Sequence, residues 1–400
     1  MFGRMISTTS ASKKNTYFQS FIKPLAKWLV FTFLCCQFGL NAVNPALFQQ
    51  KLSAPTPQWM IEQIENDLAP FKKELSQKFL DELFTTRSEP FHLVRVQVAR
   101  GKLTIQASNA SKQLDWVQKI IIPRIQELHC LAPLPDIDFI FTGRDLITVH
   151  EGLPCLPPDT PLLPIFIMSK CAHDKGLILF PDWFALDDGY EPAKSQILQG
   201  NKKCSWESKL PLLLFRGADS GVWDRLNWRS FPRPKLVALS LKYPHLIDAK
   251  FSTLLDYPDD LTPEIRETIK NEGMMGNFVP MVDHPRYKYV MDVDGHCAAA
   301  PRLPLLLHSN SVLFKNMTSS RLWFYPQMKP YVHFVPVKED LSDLIALLKW
   351  ARFHDEECKK ISQNARELAA EVLSHEAVYL YLYRILCEYS KKQQEQYNLE

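Results

Sequence analysis

The stretch HPRYKYVMDVDGHCAAAPRLPLLLHSNSVLFK, residues 284–315, decides the fold. It begins with an alternating segment, YKYVMDV, and passes through a loop of small residues, DGHCAAAP. A solid apolar segment, RLPLLLH, and a second short strand, SVLFK, follow. Strand, helix and strand at these lengths form a β-α-β unit, and such units build parallel sheets. Ligands of such sheets sit beyond the carboxyl ends of the strands, which makes the loop after YKYVMDV a place to seek chemistry. Asp292 and Asp294 stand one residue apart there and share one face of the strand. The residues leave two readings open. Either the pair holds a metal on a diphosphate, or the loop grips phosphate without one, through Arg302 at the start of the helix.

The same rhythm extends outward. IDFIFTG (137–143), PIFIMSK (164–170), GLILFPDW (176–183) and LPLLLFRG (210–217) read as buried strands, as does VHFVPV (332–337). HLVRVQVARGKLTIQAS (92–108) alternates on both sides of Arg100-Gly101, which predicts a hairpin. Trp59, Ile61, Ile64, Leu68, Phe71, Leu75, Phe79 and Leu83 recur at helical spacing, so 57–84 is one amphipathic helix or a pair. A further helix is expected around 113–129. Near the C-terminus, Cys358, Ile361, Ala365, Leu368, Ala369 and Val372 lie on one helical face. The Tyr- and Leu-rich HEAVYLYLYRILCEYS is expected to pack on the body, and the polar KKQQEQYNLE to fray. The polar stretch QGNKKCSWESK (199–209) marks a boundary between two α/β halves.

A net charge of +3 over 400 residues, with no Lys/Arg block, argues against nucleic acid as a partner. Nine cysteines without a CxxC pair argue against a zinc site. Residues 28–43, WLVFTFLCCQFGLNAV, follow Lys13, Lys14, Lys23 and Lys27. They read as a signal or membrane anchor, cleaved or retained. Asn109 and Asn316 begin N-x-S/T triplets.

Several post-strand loops carry chemistry-bearing residues. Asp145, at the end of FTGRD, is placed to act as a general base, or to pair with Arg144 or cap a helix. In FRGADSGVWDRLNWR (215–229), Gly217 lets a ligand approach the backbone. Arg216 and a helix carrying Arg225 offer positive charge to phosphate; a surface turn is the alternative. In SKCAHDKG (169–176), Ser169, His173 and Asp174 are candidates for the same cleft.

These segments together resemble glycosyltransferase family 90. The family includes protein O-glucosyltransferases, fungal capsule xylosyltransferases and bacterial lipopolysaccharide-type transferases. The resemblance rests on YKYVMDVDGHCAAAPRLPLLLHSNSVLFK and WFYPQMKPYVHFVPVKEDLSDL. FRG, LIDAKFS, VDHPRYKY, FIFTGRDL and FPDW appear in the family's order, across roughly residues 130–390. It implies an α/β fold of GT-B type, with two Rossmann-like domains facing a cleft and C-terminal helices packed across the body. The expected organisation is a leader over 1–45, an acceptor-side domain over 46–205, a donor-binding domain over 206–350, and helices with a polar tail over 351–400.

The resemblance further implies inverting transfer of a hexose or pentose from UDP-glucose or a related UDP-sugar, without metal or cofactor. The acceptor would be a hydroxyl on a glycan, a lipid-linked glycan or a protein. Asp145 takes the place of the catalytic base. Arg225 and Arg302 take the places of the donor-binding arginines, beside the segment Arg216, Gly217, Ala218. The loop His296, Cys297, Ala298, Ala299, Ala300, Pro301 lies along the donor. Asp294 stands where the O-glucosyltransferases carry arginine, and the segment after FPDW departs from theirs. A nucleotide-sugar- or carbohydrate-binding protein that has lost turnover is therefore the alternative. The leader implies the lumen of the ER or Golgi in a eukaryote, and the cytoplasmic membrane face in a bacterium.

Overall fold

The computed structural model describes residues 43–147, 156–157, 159–222, 224, 226–255, 262–298 and 301–397. The expected leader and anchor, but for residues 43–45, lies outside them. Among the described residues no helix is long and apolar enough to cross a membrane.

In chain order the elements are α1 (Pro45–Ser53), α2 (Gln58–Leu68), α3 (Gln77–Arg87), β1 (Leu93–Ala99), β2 (Lys102–Ala107), α4 (Asn109–Lys112), α5 (Ile122–Leu131), β3 (Ile137–Thr142), β4 (Ile165–Ile167), β5 (Lys170–Cys171), β6 (Leu177–Leu179), α6 (Trp183–Leu186) and α7 (Tyr190–Lys203). The second half continues with β7 (Leu210–Ala218), α8 (Pro232–Lys242), β8 (Ile247–Thr253), α9 (Pro263–Asn271), β9 (Tyr287–Asp292), α10 (Arg302–Leu306), β10 (Val312–Met317), β11 (Ser320–Arg321), β12 (Val335–Lys338), α11 (Leu344–Phe353), α12 (Asp355–Val372) and α13 (His375–Tyr397).

The apolar runs become two five-stranded sheets. The second has the order β12-β10-β9-β7-β8, and each of its strand pairs is parallel. The first has the order β2-β1-β3-β4-β6 and is mixed. β1 runs antiparallel to β2 and β3, while β3, β4 and β6 run parallel. The antiparallel edge follows from the hairpin at Arg100-Gly101. Both turn residues adopt positive φ, 51° and 74°, which suits a two-residue hairpin loop. The result is an α/β protein whose first sheet departs from the purely parallel pattern.

A third, two-stranded sheet joins the halves: β5 pairs antiparallel with β11, Cys171 opposite Ser320 and Lys170 opposite Arg321. The expected boundary at 199–209 is the end of α7 and a short 3-10 turn. Gly200 there lies so close to the turn Met281–Arg286 that a Cβ would sit 2.2 Å from the Val282 carbonyl. Residues 42–400 hold together as one unit.

The periodic run 57–84 is the pair of helices its spacing allowed, α2 and α3, separated by a turn. Two local expectations are corrected. Arg216, Gly217 and Ala218 are not in a post-strand loop but in β7 itself. No helix starts among the described residues directly after them; α8 begins only at Pro232, after a 3-10 turn. The polar C-terminal segment stays helical to Tyr397, because Gln393 and Gln396 are buried and bonded. Gln393 donates to the carbonyls of Leu75 (3.1 Å) and Asp138 (2.8 Å) and accepts from Asp138 N (2.9 Å). Helix α13 is a core element, with Tyr381 against Trp323 at 4.5 Å between ring centres.

Cys171 is engaged in a disulfide, while Cys204, Cys358 and Cys387 are free thiols. Asn316 is fully buried in β10, so its triplet is closed to glycosylation.

Candidate active site

The carboxyl ends of the two sheets enclose a cavity of about 380 Å³. Leu146, beside Asp145, and Cys171 line it from the first half. Arg233, His296, Cys297 and Thr318 line it from the second.

On the first-sheet side, Thr142 ends β3 and the chain turns at Gly143. Two bonds hold this turn: Thr142 Oγ1 accepts from Arg144 N (3.0 Å), and Trp116 Nε1 donates to the Gly143 carbonyl (2.8 Å). Arg144 does not pair with the carboxylate beside it. Its guanidinium donates to the Pro90 carbonyl (3.0 Å). The Asp145 side chain is exposed, yet the protein packed around it, with the charge of Asp182 second, raises its carboxyl to about 6. A carboxylate near this value is a stronger base than an ordinary aspartate and still ionised at neutral pH.

On the second-sheet side, Arg302 opens α10 and lies across β7. Its guanidinium stacks on Phe215 at 4.9 Å and approaches Asp292 Oδ1 at 4.0 Å. Gly217 makes this crossing feasible, since a Cβ there would sit 2.5 Å from Arg302 Nη2. Burial, against the pull of Asp292 and Asp294, lowers the Arg302 pKa. A second arginine, Arg233 in the first turn of α8, was not singled out in the sequence. It is buried, donates to the carbonyls of Ala218 (3.0 Å) and Val293 (3.0 Å), and reaches Ser220 Oγ. Burial first and the Arg302 charge second bring it down to about 9. Arg233 thus ties the ends of β7 and β9 together at the cavity wall. The signal available for it was one arginine just before a helix rich in apolar residues, and only folding sets it beside Arg302.

Asp292 and Asp294 both face a lysine. Lys315, buried in β10, places its ammonium 3.1 Å from Asp292 Oδ2 and 2.8 Å from Asp294 Oδ1. Thr318 Oγ1 donates to the other Asp294 oxygen (2.5 Å). Burial alone would drive this ammonium neutral, but Asp294, Tyr325 and Asp292 outweigh it and hold it charged. One ammonium thus bridges the two carboxylates. Among the described residues, no three His, Cys, Asp or Glu side chains are grouped for a metal.

The remaining sequence candidates divide. His296 and Cys297 line the cavity; Ala298 is buried next to it, its N–H donating to Ser320 Oγ (2.9 Å), and Pro301 precedes α10. Arg225, Ala299 and Ala300 lie outside the described residues. Arg216 is engaged elsewhere: it forms an ion pair with Asp248 (2.7 Å) and donates to the Asn277 carbonyl (3.1 Å). Ser169 bonds Ser320 (2.8 Å), and Asp174 accepts from Cys171 N (2.9 Å). His173 is half exposed and approaches Asp174 at 3.6 Å.

Two open-edged sheets with a carboxylate at one strand end and buried arginines at the facing one define an α/β protein with a polar inter-sheet site. The model of glycosyl transferase family 90 matches residues 53–399, and the chain belongs to that family. It is similar to protein O-glucosyltransferase 3 of Rattus norvegicus, 32% identical over 65% of this chain and 48% of that protein. It is 29% identical to protein O-glucosyltransferase 3 of Homo sapiens, over 88% of this chain and 64% of that protein. It is 26% identical to protein O-glucosyltransferase 1 of Rattus norvegicus, over 82% and 79% respectively. The chain thus spans about half the length of the Rattus protein O-glucosyltransferase 3.

Proposed function

We propose that this chain is an inverting, metal-independent glycosyltransferase of GT-B type that moves a sugar from a UDP-sugar to an acceptor hydroxyl. Asp145 takes the proton of the acceptor hydroxyl. The hydroxyl oxygen forms its bond to the anomeric carbon from the face opposite the diphosphate. The bond from that carbon to the phosphate oxygen breaks, and the electron pair leaves with UDP. Arg302 and Arg233 stabilise the departing negative charge as it grows, the kind of prearranged electrostatics that lowers a barrier most. Arg225 completes the donor site by family resemblance. Lys315 neutralises Asp292 and Asp294, so that no divalent ion is needed to keep the carboxylates from repelling the diphosphate.

The observation that carries this reading is the shared cavity. Leu146, next to Asp145, lines the same space as Arg233 and His296. An acceptor hydroxyl, as on a glycan, a lipid-linked glycan or a protein side chain, would meet the donor there. Under this reading the site works at a membrane face or in the secretory lumen, as the leader implies.

The test is UDP release by purified protein from UDP-glucose, UDP-xylose and UDP-galactose, with and without EDTA. Release with one donor, unchanged by EDTA and lost in Asp145→Asn, is the expected result. Full activity of Asp145→Asn removes the base. Release abolished by EDTA removes metal independence. No release from any donor, with UDP still bound in calorimetry, points instead to a binding protein of this fold.

A further inference from the structure

Asp182 ends the run FPD after β6, and no function has been given to it above. It and Asp145 follow two strands of the first sheet, β6 and β3, that flank β4. Phe141 of β3 pairs with Phe166 of β4, and Phe166 pairs with Ile178 of β6. Asp145 and Asp182 are each four residues beyond that line, at the same ends of strands two apart. Two strand spacings are roughly 10 Å, which side chains leaning toward each other shorten.

The two ends are mechanically joined. Asp182 Oδ1 caps the short helix α6 by accepting from Ala185 N (2.9 Å). The first residue of that helix, Trp183, stacks on Trp116 at 6.4 Å. Trp116 in turn holds the Gly143 carbonyl, two residues before Asp145. The other carboxylate oxygen of Asp182 is buried and has no hydrogen-bond partner among the described residues. Only 2% of Asp182 is exposed. A buried acceptor without a partner is costly, and its persistence calls for a reason.

We infer that Asp182 is a positioning residue for the base: its buried carboxyl and the Trp183–Trp116 contact set the place of Asp145 and raise the affinity of Asp145 for the acceptor proton. The inference rests on Asp145 being the base. The neighbouring charges do not cancel the effect. Lys170 of β5, three residues beyond the intervening strand β4, is paired with Asp67 (2.7 Å). Arg124 is engaged with Glu127 and Asp188, and Arg144 with Pro90. From α7, Tyr190 contributes a neutral phenol bonded to His308 (2.8 Å), whose own imidazole burial keeps neutral. Burial holds Asp182 itself high, near 6, against the pull of its cap N–H groups. Asp182 is buried and Asp145 exposed beside it, and ionisation of the one opposes ionisation of the other.

The deciding variant is Asp182→Asn, because asparagine caps a helix as well as aspartate and removes only the charge. Asp182→Ser, which also caps, is the second variant should the first fold poorly. Two readouts apply. The first is the acidic limb of the pH profile for UDP release, with whichever of UDP-glucose, UDP-xylose or UDP-galactose is turned over. The second is thermal unfolding at pH 5 and pH 7.5 of the wild type, Asp182→Asn, Asp145→Asn and the double variant. The limb is expected to move at least half a unit toward acid, with kcat on the plateau several-fold lower. The rise in Tm at pH 7.5 caused by Asp145→Asn is expected to shrink when Asp182 is already Asn. An unmoved limb, or additive Tm changes, overturns the inference. Full activity of Asp145→Asn overturns the base instead, and the unfolding cycle still reads the coupling between the two carboxyls.

Discussion

Gly217 lies beneath the guanidinium of Arg302, so close that a single added carbon would sit 2.5 Å from Nη2 and 2.9 Å from the Phe215 ring. This contact couples the backbone of β7 to the charge at the start of α10. Gly217→Ala should therefore push Arg302 off Phe215. We expect weaker UDP binding by calorimetry, about tenfold or more, and a stability loss of roughly 1–3 kcal/mol from overpacking. Unchanged affinity would mean that Arg302 does not touch the nucleotide.

Lys315 is the counter-charge of two buried carboxylates. Lys315→Met keeps the length and apolar bulk of the side chain but leaves Asp292 and Asp294 uncompensated. Loss of one partner of a buried ion pair costs roughly 3–5 kcal/mol. Urea unfolding should show a loss of this order at pH 7.5, smaller at pH 5 where protonating the carboxyls relieves it. An equal loss at both values would point to packing alone.

Asp145 has a folded pKa raised from the usual aspartate value to about 6. Activity that needs the ionised form should fall as pH drops through about 6. The stability consequence runs the other way. A raised carboxyl favours folding below its unfolded value, near 3.8, and that contribution is lost as pH rises through 6. Asp145→Asn should then be more thermally stable than the wild type at pH 7.5 and no different at pH 3.5. Its turnover should drop by about 10²–10⁴. A wild-type profile flat from pH 5 to 8 would count against the base.

His284 and His308 are both buried, which lowers their pKa values to about 4 and about 3. Depressed histidines contribute stability above their unfolded value, near 6.5, and that contribution is lost as pH falls toward the folded values. The protein should lose stability steadily from pH 6.5 to 4, at up to about 1.4 kcal/mol per pH unit for each ring. Replacing His308 by Gln, which can still reach Tyr190, should flatten part of this slope in denaturant titrations. An unaltered slope would assign the acid lability to other groups.

Much of the fold was legible because it is local. LPLLLFRG, YKYVMDV and SVLFK are strands since short apolar and β-branched runs bounded by turn residues have few other ways to bury themselves. Arg100-Gly101 is a hairpin because its backbone must turn at positive φ. The site was legible in part for the same reason: Asp145, His296 and Arg302 all follow strands, where open α/β sheets expose their loops. Gly217 was read as giving a ligand access to the backbone, whereas it lies in the strand beneath Arg302.

Strand spans and the parallel character of the second sheet were settled by residue pattern, since period and turn chemistry act over a few residues. Tertiary structure alone decided the rest. It turned the Asp292/Asp294 pair inward onto Lys315, drew Arg233 to the end of β9, linked the turn after Asp182 to that before Asp145 through Trp183 and Trp116, and kept a polar C-terminal helix buried by bonding Gln393 to Asp138. Each of these rests on a contact between residues far apart in the chain, whose partner and distance no short window of sequence contains.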